Sequence, residues 1–410
     1  MCAEVRDSLV ELTSKLIQLP SVNPPGFTVN IIGFIKDWLT SRGFSVEIRE
    51  YVKDKPNAIV RIGKGKPVLI LNGHVDVVPP GDETRWSYPP FSGKVVEGKI
   101  FGRGSSDMKG GVAVLMMVFS KLAEKIEKSG AGTLILAATS DEETGGHPGV
   151  EALVKDGILR GDAAIIAEPS GSFRYYVGEK GLCQVKLVAR GRPAHGSLPI
   201  LGDNAIMRLV NSLIKARELV DDFNSRIKIP SELVGVIRNS AEAYYEAVGK
   251  SLGLRIEDFE RVVGTVSFNP GVIRGGSKIN MVPDHAELEL DMRVPPGVNP
   301  NDVVNTLRSG LKDVDLEVLD VSQPNYTPPS ERIVSLVHEG ISRVLGREPK
   351  PIIVTGATDG RYLRYSGIPT VVYGPGELGL AHAYDEYVTI EDLVNTYNVL
   401  SYVITKFFNL

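Results

Sequence analysis

Four short apolar runs stop abruptly at polar or glycine-rich segments: Pro67-Val68-Leu69-Ile70-Leu71, Thr133-Leu134-Ile135-Leu136-Ala137-Ala138, Ala163-Ala164-Ile165-Ile166-Ala167 and Pro369-Thr370-Val371-Val372-Tyr373. Apolar on both faces, they predict central strands of a parallel sheet. Between them the spacing predicts helices over residues 110–128, 148–156 and 330–345, and Val5, Leu9, Leu12, Leu16 and Ile17 share one face of an N-terminal helix. This alternation predicts an α/β layer fold, a mostly parallel central sheet with flanking helices.

From about Gly181 the texture changes. Leu182-Cys183-Gln184-Val185-Lys186-Leu187-Val188-Ala189-Arg190 alternates apolar with polar, as a strand with one solvated face does. A helix over 204–220, a strand near 264–268, an alternating strand over 285–293, a helix over 300–311 and a strand over 316–320 complete the order βαββαβ of a ferredoxin-like α+β sandwich. The apolar-run texture then returns, so residues 182–322 read as a domain inserted into a larger one made of 1–181 and 323–410. Residues 231–261 exceed what the motif needs and read as helical, with Tyr244, Tyr245 and Val248 on one face.

Composition narrows the function classes. The chain has 410 residues, 42% hydrophobic and 23% charged, with no biased tract and a formal charge of −4, which places it among folded globular proteins. No dense basic run or basic face with interleaved aromatics is present, so a nucleic-acid partner is not expected. The two cysteines, Cys2 and Cys183, cannot build a disulfide framework or a cysteine-rich zinc site. The N-terminal residues carry early acids and no continuous apolar stretch, unlike a secretory signal, and no segment has the ~18 uninterrupted apolar residues of a membrane span. A cytoplasmic protein without a membrane partner is expected.

The candidate chemistry gathers just beyond the strand ends: Gly73-His74-Val75-Asp76, Ser140-Asp141-Glu142-Glu143-Thr144-Gly145-Gly146, Glu168-Pro169-Ser170 and Gly379-Leu380-Ala381-His382, with Asp107 before a helix. In open α/β sheets ligands bind outside the carboxyl ends of the strands, so these stretches deliver histidine and carboxylate to one crevice. Like charges that close repel strongly unless a cation lies between them. Imidazole and oxygen ligands without thiolate suit zinc, cobalt or manganese, and the number of carboxylates suits two ions sharing a bridging carboxylate and a water. His74 and Asp76, two apart on an extended segment, point the same way, so Asp76 can bond the ring nitrogen that His74 does not give to metal. Glu142 and Glu143 point apart, so one can ligate while the other takes a proton from water. Taken singly these features are weak, since an acidic turn is ordinarily a solvated surface. The glycine loop at 102–111 invites a nucleotide reading, but it lacks the third glycine at the required spacing and places Asp107 where a pyrophosphate would be repelled. His338, His285 and His147 read as structural or loop residues, whereas His195, in Arg192-Pro193-Ala194-His195-Gly196-Ser197, is the histidine in a loop of the inserted domain that can reach a crevice.

Five segments, Gly73-His74-Val75-Asp76-Val77-Val78-Pro79, Gly102 to Gly111, Asp141-Glu142-Glu143, Ala167-Glu168-Pro169 and Ala381-His382, resemble in order the successive motifs of the dinuclear zinc metallopeptidase and deacylase family. That family contains acetylornithine deacetylase, succinyl-diaminopimelate desuccinylase, aminoacylase and glutamate carboxypeptidase, and the likeness runs from about Ser21 to Tyr387. The resemblance implies a zinc exopeptidase-like catalytic domain with two divalent ions, zinc foremost, and an inserted lid domain that forms a homodimer. It implies that His74 and Glu168 hold one ion, Glu143 and His382 the other, and that Asp107 bridges them. Asp76 would orient His74, Glu142 would be the general base, and His195 would polarise the scissile carbonyl in the partner subunit's site. Asn280 and Arg293 resemble lid residues that bind substrate.

For the substrate the resemblance divides. Thr358-Asp359-Gly360-Arg361 looks like a desuccinylase signature, placing Thr358 and Arg361 among substrate contacts, whereas Asp291-Met292-Arg293-Val294-Pro295-Pro296-Gly297 is closer to acetylornithine deacetylase. Gly178-Glu179-Lys180-Gly181 stands where a typical desuccinylase carries Gly-Arg-Arg-Gly, an acid in place of an arginine that would favour a succinyl carboxylate. The expected activity is hydrolysis of the amide of a small N-acyl amino acid, with a carboxypeptidase or dipeptidase of the same family as the alternative. A non-catalytic protein that binds metal or an amino acid is the reading from a different class.

Overall fold

A computed structural model describes residues 3–410 of the chain, so Cys2 lies outside the described residues. The chain divides into two compact units, one running up to Val177 and resuming over Thr327–Ile352 and Thr358–Leu410, the other comprising Gly178–Tyr326 and Ile353–Ala357.

The sheet of the first unit has the strand order Val46–Glu50, Pro56–Gly63, Thr133–Thr139, Val68–His74, Ala163–Pro169, Thr370–Gly374, Arg174–Glu179. The four central strands, Thr133–Thr139, Val68–His74, Ala163–Pro169 and Thr370–Gly374, run parallel and are almost wholly buried, as their two-faced apolar runs require. Register pairs His74 with Thr139 and Gly374 with Pro169, so the carboxyl ends of all four meet at one edge. Helices Gly110–Ser129, Arg332–Leu345 and Ile390–Phe407 bury their apolar stripes, and a buried Leu, Phe or Ile contributes about 1.5–3 kcal/mol. Gly130, at φ 63°, ends the first of these in the left-handed conformation typical of a helix stop. At its other end Gly111 is obligatory, because a Cβ there would lie 2.0 Å from the Ala167 carbonyl oxygen. That close approach seats Asp107, just upstream, beside the strand that carries Glu168.

The second unit follows the order βαββαβ: Gly181–Arg190, Ala205–Asn224, Asn269–Gly275, His285–Val294, Pro300–Gly310, Asp315–Ser322. Its antiparallel sheet has the order second, third, first, fourth strand. Alternate residues of the first and third strands (Cys183, Val185, Leu187; Ala286, Leu288, Leu290, Met292) form one core with Leu209, Ala216, Val303 and Leu307 of the two helices. Asn204 caps its helix by accepting from the Met207 N–H. Cys183 is buried, and burial pushes its thiol up to about 12, which leaves it unreactive.

Several expectations are corrected. The strand expected at 264–268 lies at Asn269–Gly275, since Gly264 closes a helix. The apolar signal came from Val266 and Phe268, which join the core from irregular chain. The true strand reads Asn-Pro-Gly-Val-Ile-Arg-Gly, bulged at Gly271, and its proline is tolerated because the strand lies at the sheet edge. The helix expected at 148–156 shrinks to Ala152–Lys155, because Gly149 packs against the Ser140 carbonyl in a non-helical conformation. The excess segment is helical as expected, over Val234–Tyr244, Tyr245–Gly249, Lys250–Leu252 and Ile256–Gly264, with Val248 exposed. That segment also explains why Ile353–Ala357 belongs to the second unit and not to the first: the Ser240 hydroxyl accepts from the Ile353 N–H at 2.8 Å and the Tyr244 hydroxyl from the Thr355 N–H at 3.1 Å. No helix among the described residues is long and apolar enough to cross a membrane.

Candidate active site

The edge where the parallel strands end brings together six of the residues singled out by the sequence. His74, the last residue of its strand, is buried. Its Nε2 lies 3.1 Å from Asp107 Oδ1, 3.3 Å from Glu168 Oε1 and 3.9 Å from Glu142 Oε2. Facing it, His382 Nε2 lies 3.2 Å from Glu143 Oε2 and 3.5 Å from Asp107 Oδ2. The two oxygens of Asp107 therefore serve different histidines. His74, Asp107 and Glu143, and again His74, Glu142 and Glu168, place ligand atoms within 4.8 Å of one another.

Two local structures aim these side chains. Asp107 follows Gly104, whose φ of 85° lets the loop turn back on itself before the helix begins. Glu142 and Glu143 sit in a single helical turn, Glu142–Thr144, entered through Asp141 at φ 75°. Their side chains still diverge, Glu142 toward His74 and Glu143 toward His382.

Asp76 works differently from expectation. His74 Nδ1 is 3.0 Å from the Asp76 main-chain oxygen, while the Asp76 carboxylate is 3.7 Å away. That carboxylate instead accepts from the N–H groups of Glu142 and Glu143, each at 3.2 Å, and from Asn23 Nδ2 at 2.8 Å. A backbone carbonyl is reachable two residues on, which frees the carboxylate to hold the acidic turn. Asn23 also donates to Asp141 and to Thr144, and Asp141 is ion-paired with Lys55. Asn23 and Lys55 were not singled out by sequence, where each reads as an ordinary loop residue. Arg361 donates to the Gly145 carbonyl at 2.8 Å, at the end of the same turn, whereas Thr358 accepts from the Gly360 N–H.

The remaining candidates lie in the second unit. His195, exposed, pairs with Met281 across a two-residue ladder, and Gly196 donates to the Asn280 carbonyl at 2.8 Å, so His195 and Asn280 share one loop cluster. Arg293 is elsewhere, and its fork is closed on Asp291, Nε to Oδ1 at 2.8 Å and Nη2 to Oδ2 at 3.1 Å. Glu179 and Lys180 are both buried, and Lys180 donates to the carbonyls of Val262 and Thr265.

The electrostatics of the first-unit cluster call for cations. Burial raises Glu142 well above the usual carboxylate range, with the charges of Glu168, Asp359 and Glu143 adding to it. Burial and the Asp107 charge push Glu168 up to about 8, and burial also raises Glu143. Burial would lower His74, but the charges of Glu168 and Glu142 and hydrogen bonds to Asp107 and Glu168 hold it well above 6.5. Hydrogen bonds to Asp107 and Glu143 lift His382 to about 10. For Asp107, burial is outweighed by its two histidine partners, which hold it well below the carboxylate range. Glu143 Oε1 is buried without a hydrogen-bond partner. Four carboxylates and two imidazoles around an unpaired buried oxygen form a donor set that suits two divalent ions of the zinc type.

Comparisons with known proteins agree with this chemistry. The profile of Peptidase family M20/M25/M40 matches residues 70–406. A probable succinyl-diaminopimelate desuccinylase of Staphylococcus aureus is 29% identical over 95% of this chain and 98% of its own. An acetylornithine deacetylase of Pectobacterium carotovorum is 29% identical over 97% of each chain. The solved structure of an M20 family metallo-carboxypeptidase from Sulfolobus solfataricus shares the fold, with a TM-score of 0.78 over 98% of this chain and all of that one, at 22% identity. The chain belongs to Peptidase family M20/M25/M40, and it is a metal-dependent hydrolase of amide or peptide bonds.

Proposed function

We propose that the protein uses two divalent ions to hydrolyse the amide bond of a small N-acyl amino acid. The observation that carries this reading is the division of Asp107, with one oxygen toward His74 and Glu168 and the other toward His382 and Glu143. In it, His74 and Glu168 would hold one ion and His382 and Glu143 the second, with Asp107 shared between them. Zinc suits the donors best, with cobalt or manganese as substitutes. When bound, such ions supply Lewis acidity toward the carbonyl and lower the pKa of water.

The rest is the work of side chains. Glu142, whose Oε2 stands farthest from His74 of the three carboxylates around it, is left free to take the proton of the attacking water and return it to the leaving amine. The Asp76 carboxylate fixes the turn that aims Glu142 and Glu143, and the Asp76 carbonyl fixes the His74 ring. By resemblance, the second unit would act as lid and dimerisation domain, with His195 polarising the scissile carbonyl in the partner subunit's site, Asn280 contacting substrate and Arg293 gripping a substrate carboxylate. For Arg293 that role requires exchanging Asp291 for the substrate.

The deacylase is favoured over a carboxypeptidase or dipeptidase by the names of the two relatives described above, although the buried Glu179 and Lys180 do not offer a succinyl group an arginine. The test is metal content of the purified protein, then hydrolysis of N-acetyl and N-succinyl amino acids and of dipeptides, before and after chelation and restoration with zinc or cobalt. About two ions per chain and restored cleavage of an N-acyl amino acid are expected. Preferred dipeptide cleavage would move the protein to the peptidase alternative, and failure to retain metal under any loading would refute the site.

A further inference from the structure

Beside the ligands lies a buried carboxylate that neither the sequence nor the proposed chemistry uses. Glu386 is fully buried. Its Oε1 accepts from the N–H groups of Ser106, at 2.9 Å, and Asp107, at 3.0 Å, while Oε2 accepts from the Gly104 N–H at 3.0 Å and from Arg103 Nη1 at 2.6 Å. Three N–H groups of one short loop thus converge on a single carboxylate, the arrangement in which backbone binds an anion. Arg103 then returns to the segment that Glu386 came from, donating to the carbonyls of Ala383, at 3.1 Å, and His382, at 3.3 Å. The Gly102 N–H to the Glu386 carbonyl and the Ser106 hydroxyl to the Tyr387 carbonyl close the stitching.

We infer that Glu386 and Arg103 form a clamp that positions the second metal site, by fixing the Asp107 loop and the His382 segment against each other. The need for it lies in His382 itself. That side chain is 54% exposed and sits at φ 63° outside any strand, whereas His74 and Glu168 are seated in the sheet. A ligand on irregular chain loses more freedom on binding unless its backbone is held, and here the Arg103 bond to its own carbonyl holds it. Burying a carboxylate is costly, but a guanidinium and three N–H groups meet both oxygens of Glu386. Both residues are positioning residues, since neither touches the ligand atoms. The clamp should therefore govern the ion of His382 and Glu143 more than the ion of His74 and Glu168.

This inference rests on the dinuclear reading, and the two fail differently. Wild type and the Glu386→Gln and Arg103→Lys variants, stripped of metal, are titrated with cobalt, recording stoichiometry, the two affinities and the visible spectrum, with apo-protein melting measured in parallel. Wild-type protein that binds no metal defeats the dinuclear reading. If wild type binds two ions, the expectation for either variant is a roughly 10- to 100-fold loss of affinity for one ion only, with an altered spectrum for that ion. On the zinc-loaded enzymes, kcat should fall by a similar factor while KM stays within about threefold. Arg103→Lys keeps the positive charge beside Glu386 and serves if Glu386→Gln does not fold. A folded variant of either kind that binds both ions with wild-type affinities and spectrum overturns the clamp, as does an equal loss at both sites.

Discussion

The two halves of the proposed metal centre are built in opposite ways. His74 and Glu168 stand on neighbouring strands of the parallel sheet, with side chains 1% and 8% exposed, and the register of Val68–His74 against Ala163–Pro169 brings them to the same edge. His382 and Glu143 come from a loop and a single turn. In the first half, geometry is a by-product of a hydrogen-bonded ladder that must form anyway. In the second, it depends on side chains whose sole office is to hold loops: Asp76 and Asn23 under Glu143, Arg103 and Glu386 around His382. Strand-borne ligands are preorganised by the fold, and loop-borne ligands need dedicated supports.

Replacing the two histidines tests this contrast most strongly. His74, assigned with Glu168 to one ion, should on replacement by Ala leave at most one ion retained through gel filtration and no detectable hydrolysis. His382→Ala should leave one ion per chain by elemental analysis; loss of both would show that the halves are not separable. Next in size, Glu142→Gln should keep both ions yet reduce kcat by about 10²- to 10⁴-fold, and a variant with more than a tenth of wild-type turnover would remove Glu142 from the base role. Asn23→Ala, which strips one of three donors from the Asp76 carboxylate, should cost about tenfold in kcat with the melting temperature little changed, and an unchanged kcat would make the Asn23 network dispensable.

The smallest effect concerns a buried cation of the second unit and serves as a control. Burial lowers the Lys180 ammonium to about 7, helped by the charge of Arg293, whereas the unfolded chain keeps that proton up to its ordinary value of 10.5. Between those values unfolding takes up a proton, so this group makes stability rise as pH rises. Lys180→Met should flatten the rise in urea midpoint between about pH 8 and about pH 10. It should leave both metal affinities untouched, and a changed affinity would tie this lysine to the centre.

Much of this organisation was legible in the sequence, and its limits have physical causes. The central strands were visible because burial on both faces leaves unbroken apolar runs, and the candidate ligand residues because strand ends in such sheets face a crevice. The second-unit strand at Asn269–Gly275 was not, since an edge strand with a bulge carries no alternation to read. The local shape at Glu142 and Glu143 depends on Asp141 entering the left-handed region, which nothing in Ser-Asp-Glu-Glu announces. Glu386 was invisible for a different reason. A glutamate between an aspartate and a tyrosine reads as solvated surface, and only the fold reveals that backbone donors from some 280 residues earlier enclose it.

One topological detail bears on how the protein is made. The strand Thr370–Gly374 lies between Ala163–Pro169 and Arg174–Glu179, so a central member of the sheet is synthesised about 200 residues after both of its neighbours. At about 5–20 residues per second, the Ala163–Pro169 edge waits roughly 10–40 s on the ribosome for its partner. Throughout that interval it presents an apolar, unpaired strand of the kind that recruits other chains, which makes the nascent protein a natural client for holding chaperones. The loop bearing His382 emerges later still, so the proposed site of the second ion is the last part of the centre to be completed.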